Sequence, residues 1–147
     1  MNEAISNPAP STDVEIVVRR YYALVSDLSS AEDDLRQVLA PDVSVIEHPN
    51  ALVRSGARRD LAQTLEGFHR GKAILRAQTF DVHDVLVQGD RAAVRATWTG
   101  VIAHDAGPFR EGQKLVAHVA ATLVVRDGLV VEHETFDCYE PFDTVAA

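Results

Sequence analysis

Apolar residues recur at helical spacing over Val14, Val17, Val18, Tyr21, Val25 and Leu28, a period that predicts an amphipathic helix beginning near Asp13. Thr12 and Glu15 stand in the capping-box relation at its start. The segment SSAEDDLRQVLAP then predicts a short helix with an acidic first turn, a packing side of Leu35, Val38 and Leu39, and a stop at Pro41. DVSVIEH reads as a brief strand. HPNALVRSG, punctuated by Pro49, Asn50 and Gly56, reads as a loop. Helical spacing returns over residues 57–70 at Leu61, Leu65 and Phe68 and ends at Gly71.

From residue 74 onward the period changes to two. Four β-type runs lie near 77–88, 91–104, 113–126 and 129–140, separated by Gly89-Asp90, by DAGPFREGQ and by Asp127-Gly128. They predict an antiparallel meander, and helices before a meander make an α+β plan. LVAHVAATLVV is apolar on both faces, which calls for a second cover; a partner subunit in a homodimer supplies one. The last run, VVEHETFDCY, has no clean core face. Alternation places Val131, His133, Thr135, Asp137 and Tyr139 on one side and Val130, Glu132, Glu134, Phe136 and Cys138 on the other. Burying either side dry costs several kcal/mol, roughly, per unpaired charge, so one face must line something polar.

A chain of 147 residues is one domain of ordinary size. Residues 1–12, with two prolines and no periodicity, read as a tail, residues 13–142 as the domain, and 143–147 as a second tail. The net charge of −8 and the lack of Lys/Arg runs argue against nucleic acid as a partner. No run approaches the roughly 18 apolar residues of a membrane span, and no signal-peptide pattern is seen. The single cysteine, Cys138, leaves a reducing, cytoplasmic setting as the expectation. The six histidines form no H-x-H or H-x-x-x-H pair, so no metal is expected, and no P-loop, G-x-G-x-x-G or G-x-S-x-G motif points to a nucleotide cofactor or a hydrolase elbow.

Four pieces in order resemble the NTF2-like superfamily, and within it the SnoaL-like polyketide cyclases: VEIVVRRYYALV, EHPNALVRSG, GDRAAVRATWTG and VRDGLVVEHETFD. The resemblance covers about residues 13–142. It implies a cone-shaped curved antiparallel sheet, three N-terminal helices covering its concave face, a pocket between them, and often a dimer through the convex face. In the polyketide cyclases a functional acid follows E-H-W on the parity of His133 and Thr135. This chain reads Glu132-His133-Glu134-Thr135 there, so that acid position is a threonine and the nearest same-face acid is Asp137, about 6.6–6.8 Å farther along the strand.

Asp137 is therefore the candidate base, since a carboxylate among apolar walls is held toward its neutral form and can take a proton beside a carbonyl. Ketosteroid isomerase, in the same superfamily, pairs such a base with acidic hydrogen-bond donors. The bland alternative for Asp137 is a structural hydrogen bond. His133 is the candidate donor or proton shuttle, or else a histidine in a polar cluster. Tyr139 and Tyr22 are candidate oxyanion donors, with Thr135 beside them, whereas Tyr21 fits the apolar stripe of its helix. His48 and Asn50 lie where a loop can reach a pocket mouth, or serve as turn residues. Trp98 is a candidate pocket wall. The expected function is a cofactor-independent cyclase, isomerase or dehydratase acting on a small, mostly apolar carbonyl compound; the alternative is a non-catalytic ligand-binding or dimerisation module.

Overall fold

The computed structural model describes residues 10–143. The expected tails 1–9 and 144–147 lie outside the described residues, while Pro10–Thr12 form the first turn of a helix. The elements are α1 (Pro10–Ser26), α2 (Glu32–Arg36), β1 (Leu39–Glu47), β2 (Ala57–Arg59), α3 (Leu61–Ile74), β3 (Leu75–Gln88), β4 (Arg91–Ile102), β5 (Lys114–Arg126) and β6 (Leu129–Tyr139). Because α1 begins at Pro10, Thr12 falls inside its first turn and not at the position before it. Proline suits that first turn, since its missing N–H is an orphan there anyway. Pro41 does not end α2; it stands exposed within β1, beside a register shift where a missing donor costs nothing. The short strand β2 was not foreseen, and α3 continues past Gly71 to Ile74.

β3 to β6 form the antiparallel meander. The inward side chains of β5, from Leu115 through Ala117, Val119, Ala121 and Leu123 to Val125, are all buried. They join Ala92, Val94 and Ala96 of β4 and Val14, Val18, Tyr21 and Tyr22 of α1 in one core. The end of α1 is tied to β3: Ser26 Oγ accepts from Phe80 N at 3.1 Å, and Gln78 Nε2 donates to Val25 O at 2.7 Å. α3 is launched by Asp60, which accepts from Gln63 N at 2.8 Å.

The expected cone-shaped antiparallel sheet is corrected on two counts. The sheet is mixed, because β1 runs parallel beside β6, with Val45 opposite His133 and Glu47 opposite Thr135. It is also open: the order β2-β1-β6-β5-β4-β3 leaves β2 and β3 as free edges, so the sheet is not curled or closed into a cone. Alternation within a strand says which residues share a face and nothing about the direction of a neighbour about 90 residues away in sequence. A bulge also breaks the simple alternation of β6. Pairing passes from Val124↔Glu132 to Val125↔Val130, which leaves Val131 as an extra residue and turns Val130 onto the His133 face. Val130 is accordingly 0% exposed.

Gly56 closes the loop between β1 and β2 at φ +69°, and a Cβ there would lie 2.7 Å from Glu47 O. Gly56→Ala should therefore lower stability by about 1–3 kcal/mol, the usual cost of such strain, in a denaturant titration. A variant as stable as the parent would show that the loop relaxes freely.

Candidate functional site

Between α1 and the inner face of β3–β6 lies a cavity of about 160 Å³. Tyr22 comes from α1, Phe80 from β3, Trp98 from β4, Ala117 and Val119 from β5, and His133, Thr135, Asp137 and Tyr139 from β6. The ionisable face of the last strand thus lines a cavity, while Glu132, Phe136 and Cys138 face away and are exposed. Four walls are apolar or aromatic, and the polar groups gather along β6.

Tyr21 OH and His133 Nδ1 are 2.9 Å apart, a bond between helix and sheet. When the phenol donates to Nδ1, the neutral ring carries its proton on Nε2. That Nε2 has no partner, and neither has the buried hydroxyl of Tyr22. Both residues line the cavity. An unsatisfied buried polar group costs about 1–3 kcal/mol, and two residues of one cavity wall each carry such a group just beneath its surface, within reach of a small side-chain adjustment toward a ligand oxygen. Burial lowers the His133 pKa to about 4, leaving the ring neutral at ordinary pH. Burial raises both tyrosines, which keeps Tyr22 a proton donor.

Asp137 accepts a hydrogen bond from Thr135 Oγ1 at 2.7 Å. Its pKa is raised, first by burial, with the Thr135 hydroxyl opposing and the charge of Glu47 adding to the rise. Tyr139 is raised by burial and then by the charges of Asp137 and Glu47. Glu47 itself is held by Arg59 Nη1 at 2.8 Å and Asn50 Nδ2 at 2.8 Å, and it lines a neighbouring cavity of about 590 Å³ with Arg59, Thr64 and Tyr21.

Of the candidates read from sequence, Asp137, His133, Thr135, Tyr139, Tyr22 and Trp98 are brought together around one cavity. His48 stands on the opposite face of the sheet, bonded through Nε2 to Glu134 Oε2 at 2.6 Å and stacked on Phe136 at 4.3 Å. Asn50 is bound up in its turn, accepting from Leu52 N and Val53 N at 2.9 Å, and reaches the site only by its bond to Glu47. Sequence reasoning missed Glu47 and Arg59. The signal was present for Glu47, which follows Val43 and Val45 at strand spacing and so shares their inward face. Nothing comparable marked Arg59, whose short strand had been read as helix. Among the described residues no group of three or more His, Cys, Asp or Glu is placed to hold a metal ion. Among the described residues no helix is long and apolar enough to cross a membrane.

A family profile described as SnoaL-like domain matches residues 18–133. Among solved structures the chain is similar to IdmH, a candidate polyketide cyclase from Streptomyces antibioticus, at 24% identity and a TM-score of 0.71, covering 84% of this chain and 91% of that one. It is equally similar in fold to a SnoaL-like protein from Jannaschia sp. CCS1, at 21% identity and TM-score 0.71, with 91% of each chain covered. An LEH-like epoxide hydrolase from M. tuberculosis shares the fold at 16% identity and TM-score 0.66, covering 92% of this chain and 88% of that one. Nothing among curated proteins matches the chain.

The buried ring of His133 makes acid stability a readout of the site. A folded pKa depressed to about 4 contributes stability that is complete above the ordinary value of 6.5 and is lost as pH falls toward 4. The loss amounts to at most about 3 kcal/mol, at 1.36 kcal/mol per pH unit. His133→Phe should flatten this part of the stability profile in denaturant titrations between pH 7 and 4. An unchanged profile would mean that the ring reaches water and is protonated in place.

Proposed function

Because the chain belongs to the SnoaL-like domain family, we propose that the Asp137 cavity is a cofactor-independent acid-base site for a small, mostly apolar carbonyl compound, of the cyclase, isomerase or dehydratase kind. One observation carries this reading: a carboxylate with a raised pKa lines the same cavity as two residues, Tyr22 and His133, that each hold a buried polar atom without a partner, the hydroxyl and Nε2. Asp137 in its ionised form takes a proton from the carbon next to the carbonyl. The C–H electron pair moves into the new C=C bond and the carbonyl π pair onto oxygen, where Tyr22 O–H and His133 Nε2–H donate. Asp137 then returns the proton to the same or a neighbouring carbon. Phe80, Trp98, Ala117 and Val119 suit an apolar body and raise the worth of each hydrogen bond by excluding water.

The reaction class is tested without knowing the natural substrate, by following deuterium exchange at the α-carbon of simple cyclic ketones in D2O. Asp137→Asn keeps the shape and the Thr135 hydrogen bond but removes the base. It should slow exchange by about 10²–10⁴-fold while ketone binding changes little. Equal exchange by parent and variant, with binding intact, would favour a non-catalytic binding module. The same variant has a stability signature. A carboxylate raised by burial holds its proton more tightly when folded, so its ionisation destabilises the fold as pH rises through the folded value. Asp137→Asn should therefore raise the melting temperature at pH 7 relative to the parent, an advantage that fades in acid. A drop at pH 7 would mark the aspartate as a structural acceptor.

We infer a homodimer through the outer face of the sheet. Phe136 is 45% exposed there, stacked on His48 and paired across β5 with the exposed Ala120. Phe136→Glu should convert the light-scattering mass at micromolar concentration from two chains to one; a parent that is already monomeric removes the dimer.

A further inference from the structure

Trp98 is the one residue that lines all three of the cavities it touches: the 160 Å³ chamber of Asp137, a neighbour of about 560 Å³, and the 590 Å³ space beside Glu47. It is also held more firmly than a wall residue needs to be. Its Nε1–H donates to Gln78 Oε1 at 2.8 Å, and Gln78 Nε2 donates in turn to Val25 O at 2.7 Å, so the indole is tied through one amide to the backbone of α1. The edge of the Tyr139 ring meets it at 6.1 Å between centroids. Beneath it, Gly100 supplies the room: a Cβ there would fall 2.5 Å from both Cη2 and Cζ2 of the indole. Two residues along the strand from Trp98, that position is bare of a Cβ, and the indole lies over it.

We propose that Trp98 is a specificity-determining partition that admits a single oxygen-bearing six-membered ring to the Asp137 chamber and turns fused two-ring heads away. The proposal rests on the reading of that chamber as the seat of a ligand's oxygen. The size follows from volume. An apolar cavity of about 150 Å³ holds one benzene, and the chamber here is about 160 Å³. A second fused ring must occupy the space that the indole fills. The rest of a longer ligand has to pass the indole edge into the outer cavity, whose walls include Leu52, Ile74, Ile102 and Phe109.

The test uses binding alone, so that it stands apart from turnover. Trp98 is the only tryptophan of the chain, and its indole N–H gives one side-chain signal in an ¹⁵N-correlated NMR spectrum. Cyclohex-2-enone titrated into the parent protein should shift that signal together with the backbone amides of Thr135 and Asp137. 1-Tetralone, its two-ring counterpart, should leave those two amides in place. Trp98→Leu should admit 1-tetralone to the Thr135 and Asp137 amides with affinity raised about tenfold or more, while cyclohex-2-enone changes less. Gln78→Leu, which frees the indole without removing it, should shift the balance the same way and serves if Trp98→Leu does not fold. The partition is overturned if 1-tetralone reaches the Asp137 amide of the parent as readily as that of either variant, or if cyclohex-2-enone never reaches it. These binding patterns with no deuterium exchange in the parent would remove the acid-base reading and leave the partition standing.

Discussion

The packing of α1 across the inner face of the sheet is the constraint from which the site follows. Val18, at 0% exposure, and Val14 carry the helix onto the meander as ordinary apolar cargo. One turn farther on the same stripe presents Tyr21 and Tyr22, and aromatic rings with polar tips cannot be seated like valines. Tyr21 resolves the problem by bonding to His133 across the interface, which fixes the ring of the histidine and the roll of the helix together. Tyr22, one residue on, packs edge-on against Phe80 and lines the cavity, its buried hydroxyl without a protein partner. The helix therefore seals the core at its first half and leaves a polar-tipped cavity at its second.

That division explains which parts of the molecule were legible in the sequence. The four meander strands were legible to within about two residues because alternation and turn pairs such as Asp127-Gly128 are local signals; the cost of burying charge required one face of β6 to line something polar, and the family resemblance pointed to the face of His133. The mixed, open sheet was not legible, since the β1–β6 pairing is set by how a distant chain segment docks. The bulge at Val131 was hidden for the same reason: it exists only relative to Val124 and Val125 on the neighbouring strand. His48 and Asn50 show the limit at the level of sites. A loop's sequence tells that polar groups are present, but β1 reaches its end with His48 on the outer parity, so the side chain leaves toward Phe136 and not toward the cavity.

Tyr21 shows the opposite kind of miss. Helical spacing marked it as core, and it is core, at 5% exposure. Periodicity reports the side of the helix and is blind to what the far tip of a long side chain meets. In this fold the tip meets His133, and where the phenol donates to Nδ1 the imidazole carries its proton on Nε2 without a carboxylate behind it. A neutral histidine oriented by a phenol suits donation to a forming oxyanion, whereas an aspartate in the same place would favour the charged ring.

The two inward carboxylates of the site, Glu47 and Asp137, sit on neighbouring parallel strands, with Thr135 opposite Glu47 and Asp137 one strand period beyond. Their surroundings divide the labour. Glu47 receives a guanidinium on Oε1 and an amide on Oε2, from Arg59 and Asn50, so each of its oxygens is held by a donor. Asp137 receives one hydroxyl, from Thr135, and faces apolar walls with its remaining oxygen sites. The loop that Gly56 closes is what delivers Asn50 to Glu47, so a turn remote from the cavity decides that the first carboxylate is tied down. With Glu47 held by its cation, its charge acts on Asp137 as a fixed field, and burial and that field together raise the aspartate, which is the direction the proposed base requires.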